Sequence, residues 1–353
     1  MVDHDDVGLG HGFHLLRVKR IVQETGDTRS FVLDIPDGLV DAFRYRAGQF
    51  CTFRLCIDGE ELLRSYSMSS AQDIDADFAV TVKRVPAGRV SNWFHDHVAE
   101  GDVLEVTRPA GVFCVRDGPR PVVALCGGSG VTPVISIAKS VLATTRRPVR
   151  LLHANRDRRS VIFDDQLRGL RDRHPDRVEV RHHYDSDACF LDAAAVAGFV
   201  AGSLDADFYV CGPGPFMDLV EASLVEAGVD PGRILIERFV DASHPVPPAA
   251  TGGTHTTADA PEAVTLILNG KKTTVAYQAG DTVLETARRG GLRPPFSCEA
   301  GNCATCMAIV RDGRASMREN NALTQDEVDE GWILTCQALP EGPGTVTVEY
   351  EAL

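Results

Sequence analysis

The chain lacks any hydrophobic run that approaches the roughly 20 apolar residues of a membrane-spanning helix. Its N-terminal residues 1–6 are acidic, where a secretory signal peptide would be basic. Positive charge is scarce as well, because 36 Lys and Arg stand against 50 Asp and Glu, for a formal net charge of −14. The sequence therefore argues against a surface that follows nucleic-acid phosphates and against a polybasic membrane patch. We expect a soluble, cytoplasmic monomer that binds neither nucleic acid nor membrane.

Repeats are also missing, and one stretch is poor in large apolar residues. Residues 241–262 are rich in Pro, Gly, Thr and Ala, and Val246 is their only large aliphatic residue. Such a segment cannot build a core and is typical of a flexible linker. About 240 residues precede it and about 90 follow it, which is enough for two domains and for one domain, respectively.

The pattern of apolar residues changes near residue 115. Before this point, short alternating runs predict strands of an antiparallel barrel at 30–35, 49–55 and 78–83. After it, apolar strand-like runs at 121–126, 149–154 and 208–211 alternate with helical patterns at 134–143, 164–173 and 216–227. This alternation is typical of a doubly wound parallel α/β sheet. The sequence therefore predicts a β-barrel domain over 1–115, an α/β domain over 116–240 and a third domain over 263–353.

Four of the ten cysteines are concentrated in the third domain, at Cys298, Cys303, Cys306 and Cys336. Their C-x4-C-x2-C…C spacing is that of a [2Fe–2S] centre, which needs four thiolates and a loop of small residues around the cluster. Zinc is the alternative, but structural zinc sites usually show two C-x2-C knuckles. The other six cysteines lie in apolar or strand-like stretches, and we expect them to be reduced and buried.

The segment around these cysteines also has a recognisable order of elements. Strands are predicted at 264–268 and 273–276, and a short helix at 281–290 with Asp281 as its cap. The whole of 263–353 resembles a plant-type ferredoxin, an α+β domain of the β-grasp type. Ala304 stands where that family often carries glycine.

Two glycine-rich turns follow apolar strands of the predicted parallel sheet. The first contains Gly127, Gly128, Gly130 and Thr132, and the second contains Cys211, Gly212 and Pro213. Glycines permit close approach of a pyrophosphate, and ligands bind at the carboxyl ends of strands in such folds. Neither turn has the G-x-G-x-x-G fingerprint, so each by itself is also compatible with an ordinary strand-to-helix turn.

Two further motifs lie in the predicted barrel, Arg64-Ser-Tyr66-Ser67 and the segment 88–93 with sequence GRVSNW. An arginine can clamp a phosphate, and a tyrosine can stack on a planar ring. Taken singly, each motif is compatible with a surface turn.

Together, and in this order, the motifs R-x-Y-S, G-x-V-S-N-W, G-G-S-G-V-T-P and C-G-P resemble those of the ferredoxin–NADP+ reductase superfamily. With the C-terminal ferredoxin, the chain is similar to the three-domain reductases of bacterial oxygenases. Among these reductases, it resembles the reductase components of 3-ketosteroid 9α-hydroxylase and of phenylacetyl-CoA epoxidase.

The resemblance implies a role for each matched residue. It implies FAD, with FMN as the alternative, at Arg64, Tyr66, Ser67, Val90 and Ser91. It implies the nicotinamide dinucleotide at Gly127, Gly128, Gly130, Thr132, Cys211, Gly212 and Pro213. The residues implied beside the reacting rings are Tyr66, Ser67, Cys211, Glu237 and Phe239. Cys211 is equally compatible with a packed thiol at a strand end, because hydride transfer needs no thiolate.

The implied function is an oxidoreductase that passes electrons from NADH or NADPH, through FAD and the cluster, to a partner oxygenase. A Rieske-type oxygenase is favoured, and a di-iron oxygenase or another metalloprotein is the alternative. Arginines within 156–159 follow a strand where a 2′-phosphate of NADPH would lie, yet they also fit a solvated turn. The acidic run 326–330 is either a solvated helix face or a docking patch for a basic partner. A self-sufficient oxidase and a non-catalytic iron–sulfur carrier or sensor remain as less favoured interpretations.

Overall fold

The computed structural model describes residues 13–239, 260–296, 299, 301, 304–320 and 322–350. Most of the predicted linker and two of the predicted cluster ligands, Cys298 and Cys303, lie outside the described residues. In the described part of the chain, none of the helices combines the length and the hydrophobicity that crossing a bilayer requires.

The first folding unit is a six-stranded antiparallel sheet in the order β4-β3-β6-β1-β2-β5. Its elements are β1 (Phe13–Thr25), β2 (Thr28–Asp34), β3 (Phe50–Ile57), β4 (Glu60–Ser67), β5 (Phe78–Lys83), α1 (Arg89–His97) and β6 (Val103–Thr107). An isolated bridge between Met68 and Val80 joins the two edge strands, which gives the sheet the form of a barrel. Phe31, Phe53 and Phe94 fill its interior and are fully buried. The alternation read from the sequence therefore predicted this unit correctly.

The second unit is a five-stranded parallel sheet in the order β11-β10-β7-β8-β9. Its strands are β7 (Val122–Gly127), β8 (Val149–Asn155), β9 (Val178–Tyr184), β10 (Asp207–Cys211) and β11 (Ile234–Glu237), and its helices are α2 (Val131–Thr144), α3 (Asp164–Arg173), α4 (Asp185–Ala188), α5 (Ala193–Val200) and α6 (Gly214–Glu226). Helices cover both faces, because α2 and α3 share one apolar core and α5 and α6 share another. The strand order reverses between β7 and β10, so the crevice for a ligand opens at their carboxyl ends.

The third unit is a mixed five-stranded sheet in the order β13-β12-β18-β14-β16, with a separate β15–β17 pair. Its elements are β12 (Ala263–Leu268), β13 (Lys271–Ala276), α7 (Val283–Arg289), β14 (Met307–Asp312), β15 (Arg314–Met317), α8 (Gln325–Asp329), β16 (Trp332–Leu334), β17 (Ala338–Glu341) and β18 (Thr345–Glu349). The predicted cap of its first helix was wrong. Thr282 caps α7 through a capping box with Glu285, while Asp281 forms an ion pair with Arg289 at 2.7 Å.

Polar contacts join the first two units closely. Ser136 Oγ donates to the carbonyl of Ser70 at 2.5 Å, and Lys139 Nζ pairs with Asp75 at 3.0 Å. Farther along the interface, the Tyr209 hydroxyl donates to the carbonyl of Cys114 at 3.2 Å. Because these groups are buried or half-buried, their hydrogen bonds hold the barrel and the parallel sheet in one relative position.

Candidate functional site

The two glycine-rich turns lie against each other at the reversal of the parallel sheet. A Cβ on Gly130 would lie 2.1 Å from the carbonyl oxygen of Cys211, and a Cβ on Gly212 would lie 2.9 Å from the amide nitrogen of Gly127. These positions therefore require glycine, because the two backbones approach more closely than any side chain allows. The sequence predicted both turns at strand ends. They meet because β7 and β10 are adjacent parallel strands, so that their carboxyl ends lie side by side.

Gly128 is half-buried in the first turn and has a left-handed φ of +52°. The ammonium group of Lys83, at the end of the barrel strand β5, lies 3.5 Å from the position a Gly128 Cβ would take. Burial lowers the pKa of Lys83, and Asp27 at 4.0 Å opposes that effect. A cation from the barrel thus faces the turn where a pyrophosphate would bind.

Sequence reasoning did not select Lys83. The available signal was a lysine that ends a largely apolar strand in Phe78-Ala-Val-Thr-Val-Lys83. Many exposed lysines share that pattern, so only the contact with Gly128 distinguishes this one.

Thr132, by contrast, uses its hydroxyl within the turn. Its Oγ1 donates to the carbonyl of Ser129 at 3.0 Å, and the residue is buried. Thr132 therefore stabilises the shape of the turn at the start of α2, and its hydroxyl hydrogen is already engaged.

The barrel motif and the parallel sheet meet at Ser67 and Glu237. Ser67 Oγ donates a hydrogen bond to Glu237 Oε2 at 3.0 Å. Burial raises the pKa of the Glu237 carboxyl to about 8, although the bond from Ser67 acts in the opposite direction. This carboxyl therefore carries a proton at neutral pH.

Cys211 lies next to this pair, since it is the strand neighbour of both Glu237 and Cys126. It is fully buried, and burial raises its pKa well above the ordinary value of a thiol. The thiol therefore stays protonated, in agreement with a packed thiol that shapes the site.

Arg64 and Tyr66 share one face of β4, whereas Ser67 points to the other. The Tyr66 ring packs edge-on against Phe53 and Phe94, with centroid distances of 5.8 and 5.4 Å. Arg64 donates to the adjacent carbonyl of Leu63 at 2.7 Å and is half-buried. A rigid aromatic ring beside a cation is suited to a ring system that bears a phosphate.

The N-terminus of α1 lies in the same barrel. Val90 is buried in the barrel core, so it contributes its backbone rather than its side chain to any ligand. Ser91 Oγ accepts a hydrogen bond from the amide of Val85 at 3.1 Å. Gly88 precedes the helix without a side-chain cap, which leaves the first backbone N–H groups available to an anion.

Phe239, two residues beyond Glu237, is 41% exposed.

In the third unit, Cys306 and Cys336 lie side by side and are buried. The amide of Cys336 approaches Cys306 Sγ at 3.5 Å, and Gln337 Nε2 approaches Cys336 Sγ at 3.8 Å. Sulfurs that accept N–H groups are suited to thiolate ligands of an iron–sulfur cluster. The adjoining loop has left-handed backbone at Gly301 and Ala304, as a tight wrap around a ligand requires. The residues present therefore fit the predicted cluster.

Comparisons with known proteins agree with this arrangement. The sequence matches family models for an oxidoreductase FAD-binding domain over residues 15–114, an oxidoreductase NAD-binding domain over 124–222 and a 2Fe-2S iron-sulfur cluster binding domain over 266–341. It is 37% identical to the ferredoxin reductase component of 3-ketosteroid-9-alpha-monooxygenase from Mycobacterium tuberculosis, over 98% of both chains. It is 31% identical to one of the subunits of 1,2-phenylacetyl-CoA epoxidase from Escherichia coli, over 96% of this chain and 98% of that one. The structure is similar to phthalate dioxygenase reductase, with a TM-score of 0.59, 26% identity and coverage of 96% of this chain and 98% of that one.

Three consecutive units with these sites define an oxidoreductase that uses FAD, a nicotinamide dinucleotide and a [2Fe–2S] cluster. Within this class, the chain belongs to the family of reductase components of oxygenase systems, which includes the 3-ketosteroid-9-alpha-monooxygenase reductases. The predicted fold class, family, cofactors and electron-transfer function are confirmed.

Proposed function

We propose that this reductase takes electrons from NADH and delivers them to a Rieske-type oxygenase, as a monomer in the cytoplasm. The observation that carries the proposal is the hydrogen bond between Ser67 and Glu237, because it joins the flavin motif of the barrel to the nicotinamide end of the parallel sheet. We assign the domains as 1–115 for flavin, 116–240 for the nucleotide, 241–262 for the linker and 263–353 for the cluster.

A bound flavin would supply the conversion of a two-electron hydride transfer from the nicotinamide into single-electron transfers to the cluster. The residues of the chain hold the rings in place and control charge beside them. Glu237 keeps its proton at neutral pH and Cys211 keeps its thiol hydrogen, so both groups are neutral next to Ser67. A neutral site does not oppose the negative charge that hydride transfer adds to the acceptor ring.

Lys83 and the two glycine-rich turns would hold the pyrophosphate of the nucleotide, while Arg64, Tyr66 and the N-terminus of α1 would hold the flavin. The four cysteines Cys298, Cys303, Cys306 and Cys336 would bind the cluster. Most of the described residues assigned to the nucleotide and the flavin lie at the ends of strands or helices. The backbone of these elements fixes their positions, which favours a fixed geometry of the rings.

The preference for NADH is supported by the arginines that follow β8. Arg156 pairs with Asp27 of the barrel at 3.0 Å. Arg158 pairs with Asp187 at 2.8 Å and lies over the Tyr184 ring at 4.5 Å. A 2′-phosphate would have to compete with these carboxylates for the guanidinium groups, and it would add its own charge beside them.

An anaerobic titration followed by visible absorption tests the donor. We expect NADH to bleach the flavin and cluster bands at near-stoichiometric amounts, and NADPH to require a large excess. Equal bleaching by NADPH would contradict the assignment of the donor. A cluster band that bleaches with neither nucleotide would contradict the electron path itself and favour a carrier or sensor.

The acceptor is proposed from the relatives and from surface charge. Relatives of this domain order are named as reductases of a steroid monooxygenase and of a dioxygenase, and one is named as part of an epoxidase. Asp326, Asp329 and Glu330 on and after α8 are exposed, which fits a basic surface on the partner. Stopped-flow reduction of a purified Rieske oxygenase at low and high salt tests this, and a rate that does not fall with salt would count against electrostatic docking.

A further inference from the structure

Phe50 belongs to the barrel, yet it is buried in an apolar cluster that the ferredoxin domain builds. The buried members of this cluster besides Phe50 are Leu284, Cys306, Ala322, Leu323, Trp332, Leu334 and Cys336. Ala110 of the barrel packs against the same cluster. Phe50 itself is 5% exposed. The ferredoxin domain thus covers one aromatic residue of its neighbour, beside two of its own cluster ligands.

The barrel fixes the orientation of the Phe50 ring independently of this contact. Phe50 and Ala110 exchange two backbone hydrogen bonds of 2.9 Å. The ring lies on Gly111, where a Cβ would be 2.7 Å from ring atom Cε1, and Gly111 has a φ of +112°. A side chain at 111 would displace the ring, so the barrel presents Phe50 in one position.

The strand register connects this contact with the flavin site. Phe50 is the cross-strand partner of Ser67, and Ser67 holds Glu237. Directly opposed residues of antiparallel strands lie about 4.5–5.5 Å apart. Phe50, which contacts the ferredoxin domain, therefore lies on the strand next to Ser67, which contacts Glu237.

The two interdomain contacts differ in kind. Buried polar bonds such as Ser136 to Ser70 join the barrel to the parallel sheet. At the ferredoxin contact, the described packing is apolar, with Phe50 and Ala110 on the barrel side. Apolar packing is non-directional and needs no paired polar groups, so a small apolar contact can open and close more readily than a hydrogen-bonded one.

We propose that Phe50, held in place by Ala110 and Gly111, is the contact at which the ferredoxin domain docks on the barrel to receive electrons from the flavin. The inference rests on the proposed function, because it assumes electron flow from the barrel to the cluster. Phe50 acts as a positioning residue, because it holds Cys306 and Cys336 next to the flavin domain. Burial of the ring favours the docked position.

Rapid mixing of the full-length holoprotein with NADH, followed by the rates of flavin and cluster reduction, tests this docking contact. We expect Phe50→Asp to slow reduction of the cluster by about tenfold or more, as a buried carboxylate opposes docking. Reduction of the flavin by NADH should change by less than about twofold, since the Phe50 side chain packs in the apolar cluster of the ferredoxin domain and is not among the residues assigned to the flavin or the nucleotide. Phe50→Leu should restore most of the cluster reduction because it keeps an apolar side chain. Phe190→Asp, on a residue that is 83% exposed in the nucleotide unit, is the matched control.

A second readout does not depend on electron transfer. The radius of gyration of Phe50→Asp, measured by small-angle X-ray scattering, should exceed that of the unchanged protein and of Phe50→Leu, because the ferredoxin domain no longer stays docked. Unchanged cluster reduction together with an unchanged radius would overturn the proposal.

If Phe50→Asp loses flavin, a variant on the ferredoxin side of the contact tests the proposal instead. Leu323→Ala leaves the barrel intact, and it should slow cluster reduction while the cluster absorbance is retained. Normal cluster reduction in that variant would also overturn the proposal. Failure of NADH to reduce the flavin in the unchanged protein would instead contradict the proposed function.

Discussion

Ser67 Oγ donates a 3.0 Å hydrogen bond to Glu237 Oε2, although 170 positions separate the two residues in the chain. Ser67 ends a strand of the barrel, and Glu237 ends the edge strand of the parallel sheet. The bond therefore marks the boundary between the two units, at the point where a flavin and a nicotinamide would meet. It also joins a hydroxyl to a carboxyl that keeps its proton at neutral pH, with a pKa of about 8.

Glu237→Gln tests the role of that proton. Glutamine resembles the protonated acid in shape, so the rate of flavin reduction by NADH at pH 7 should stay within about twofold of the unchanged protein. Above pH 8 the unchanged protein acquires a negative charge at Glu237, and its rate should fall. The variant should show no such fall. Stopped-flow rates from pH 6 to pH 10 provide the comparison, and identical profiles would refute the assignment.

Stability should follow the same ionisation. The pKa of Glu237 in the folded chain lies above the value of about 4.3 for an unfolded glutamate. The folded state therefore binds the extra proton between these two values, and the contribution of Glu237 to the free energy of unfolding falls as pH rises from about 4.3 to 8. Denaturant titrations of the unchanged protein and of Glu237→Gln should converge at low pH and diverge in favour of the variant toward pH 8.

Lys83→Met tests the cation at the first glycine-rich turn. Loss of a charge-assisted contact of about 1.5–3 kcal/mol should raise the dissociation constant for NADH by about tenfold or more. The maximal rate of flavin reduction should change little, because the ring positions are set elsewhere. Lys19→Met is the control, since Lys19 is an exposed lysine on β1 paired with Asp77. Equal affinities for NADH in the two variants would remove Lys83 from the nucleotide site.

Gly130→Ala tests the contact between the two turns. The added methyl group would lie 2.1 Å from the carbonyl of Cys211, so one backbone must move. We expect a loss of about 1–3 kcal/mol in the free energy of unfolding together with weaker NADH binding. Gly198→Ala is the matched control, because it lies in helix α5 with nothing within 4 Å of its added Cβ. That change should be neutral or stabilising by up to about 1 kcal/mol. Similar stability of both variants would argue against direct turn-to-turn packing.

Ala304→Gly tests strain in the cysteine loop. Ala304 has a φ of +53°, a conformation that costs an alanine about 1 kcal/mol or more and costs a glycine little. The substitution should therefore raise the temperature at which the cluster absorbance is lost. Ala308→Gly, at a buried position of strand β14, should lower it. A decrease for Ala304→Gly would show that the loop is not strained at this residue.

Much of the architecture could be predicted from local pattern. The strand predicted at 78–83 and the helix predicted at 164–173 coincide with β5 and α3. Alternating and helical periodicities report the buried face of a segment, and that face is a local property of the sequence. The cap of α7 was predicted at the wrong residue because Asp281 and Thr282 are both good caps, and the reciprocal bond with Glu285 selects Thr282.

The site residues likewise fall into those that a local motif could select and those that only a tertiary contact reveals. Ser67, Gly130 and Cys211 could be selected because they stand in motifs next to strand ends. Lys83 and Phe50 could not, since neither residue type is rare at a strand end and neither has a partner nearby in sequence. Their significance depends on Gly128 and on the ferredoxin domain, which lie 45 or more positions away.

Local patterns of the sequence indicated the [2Fe–2S] centre, through cysteine spacing, and the fold class, through apolar periodicity, because each is a property of a few neighbouring residues. The order of the four motifs gave the resemblance to a family, and that resemblance implied the flavin and the nicotinamide dinucleotide. Tertiary structure alone decided which groups face one another. Strand order brings Gly130 against Cys211, and the packing of the barrel on the parallel sheet brings Ser67 to Glu237 and Lys83 to Gly128. Such contacts depend on the burial of apolar faces across the whole chain, and burial also raises the pKa of Glu237, so no local pattern could contain them.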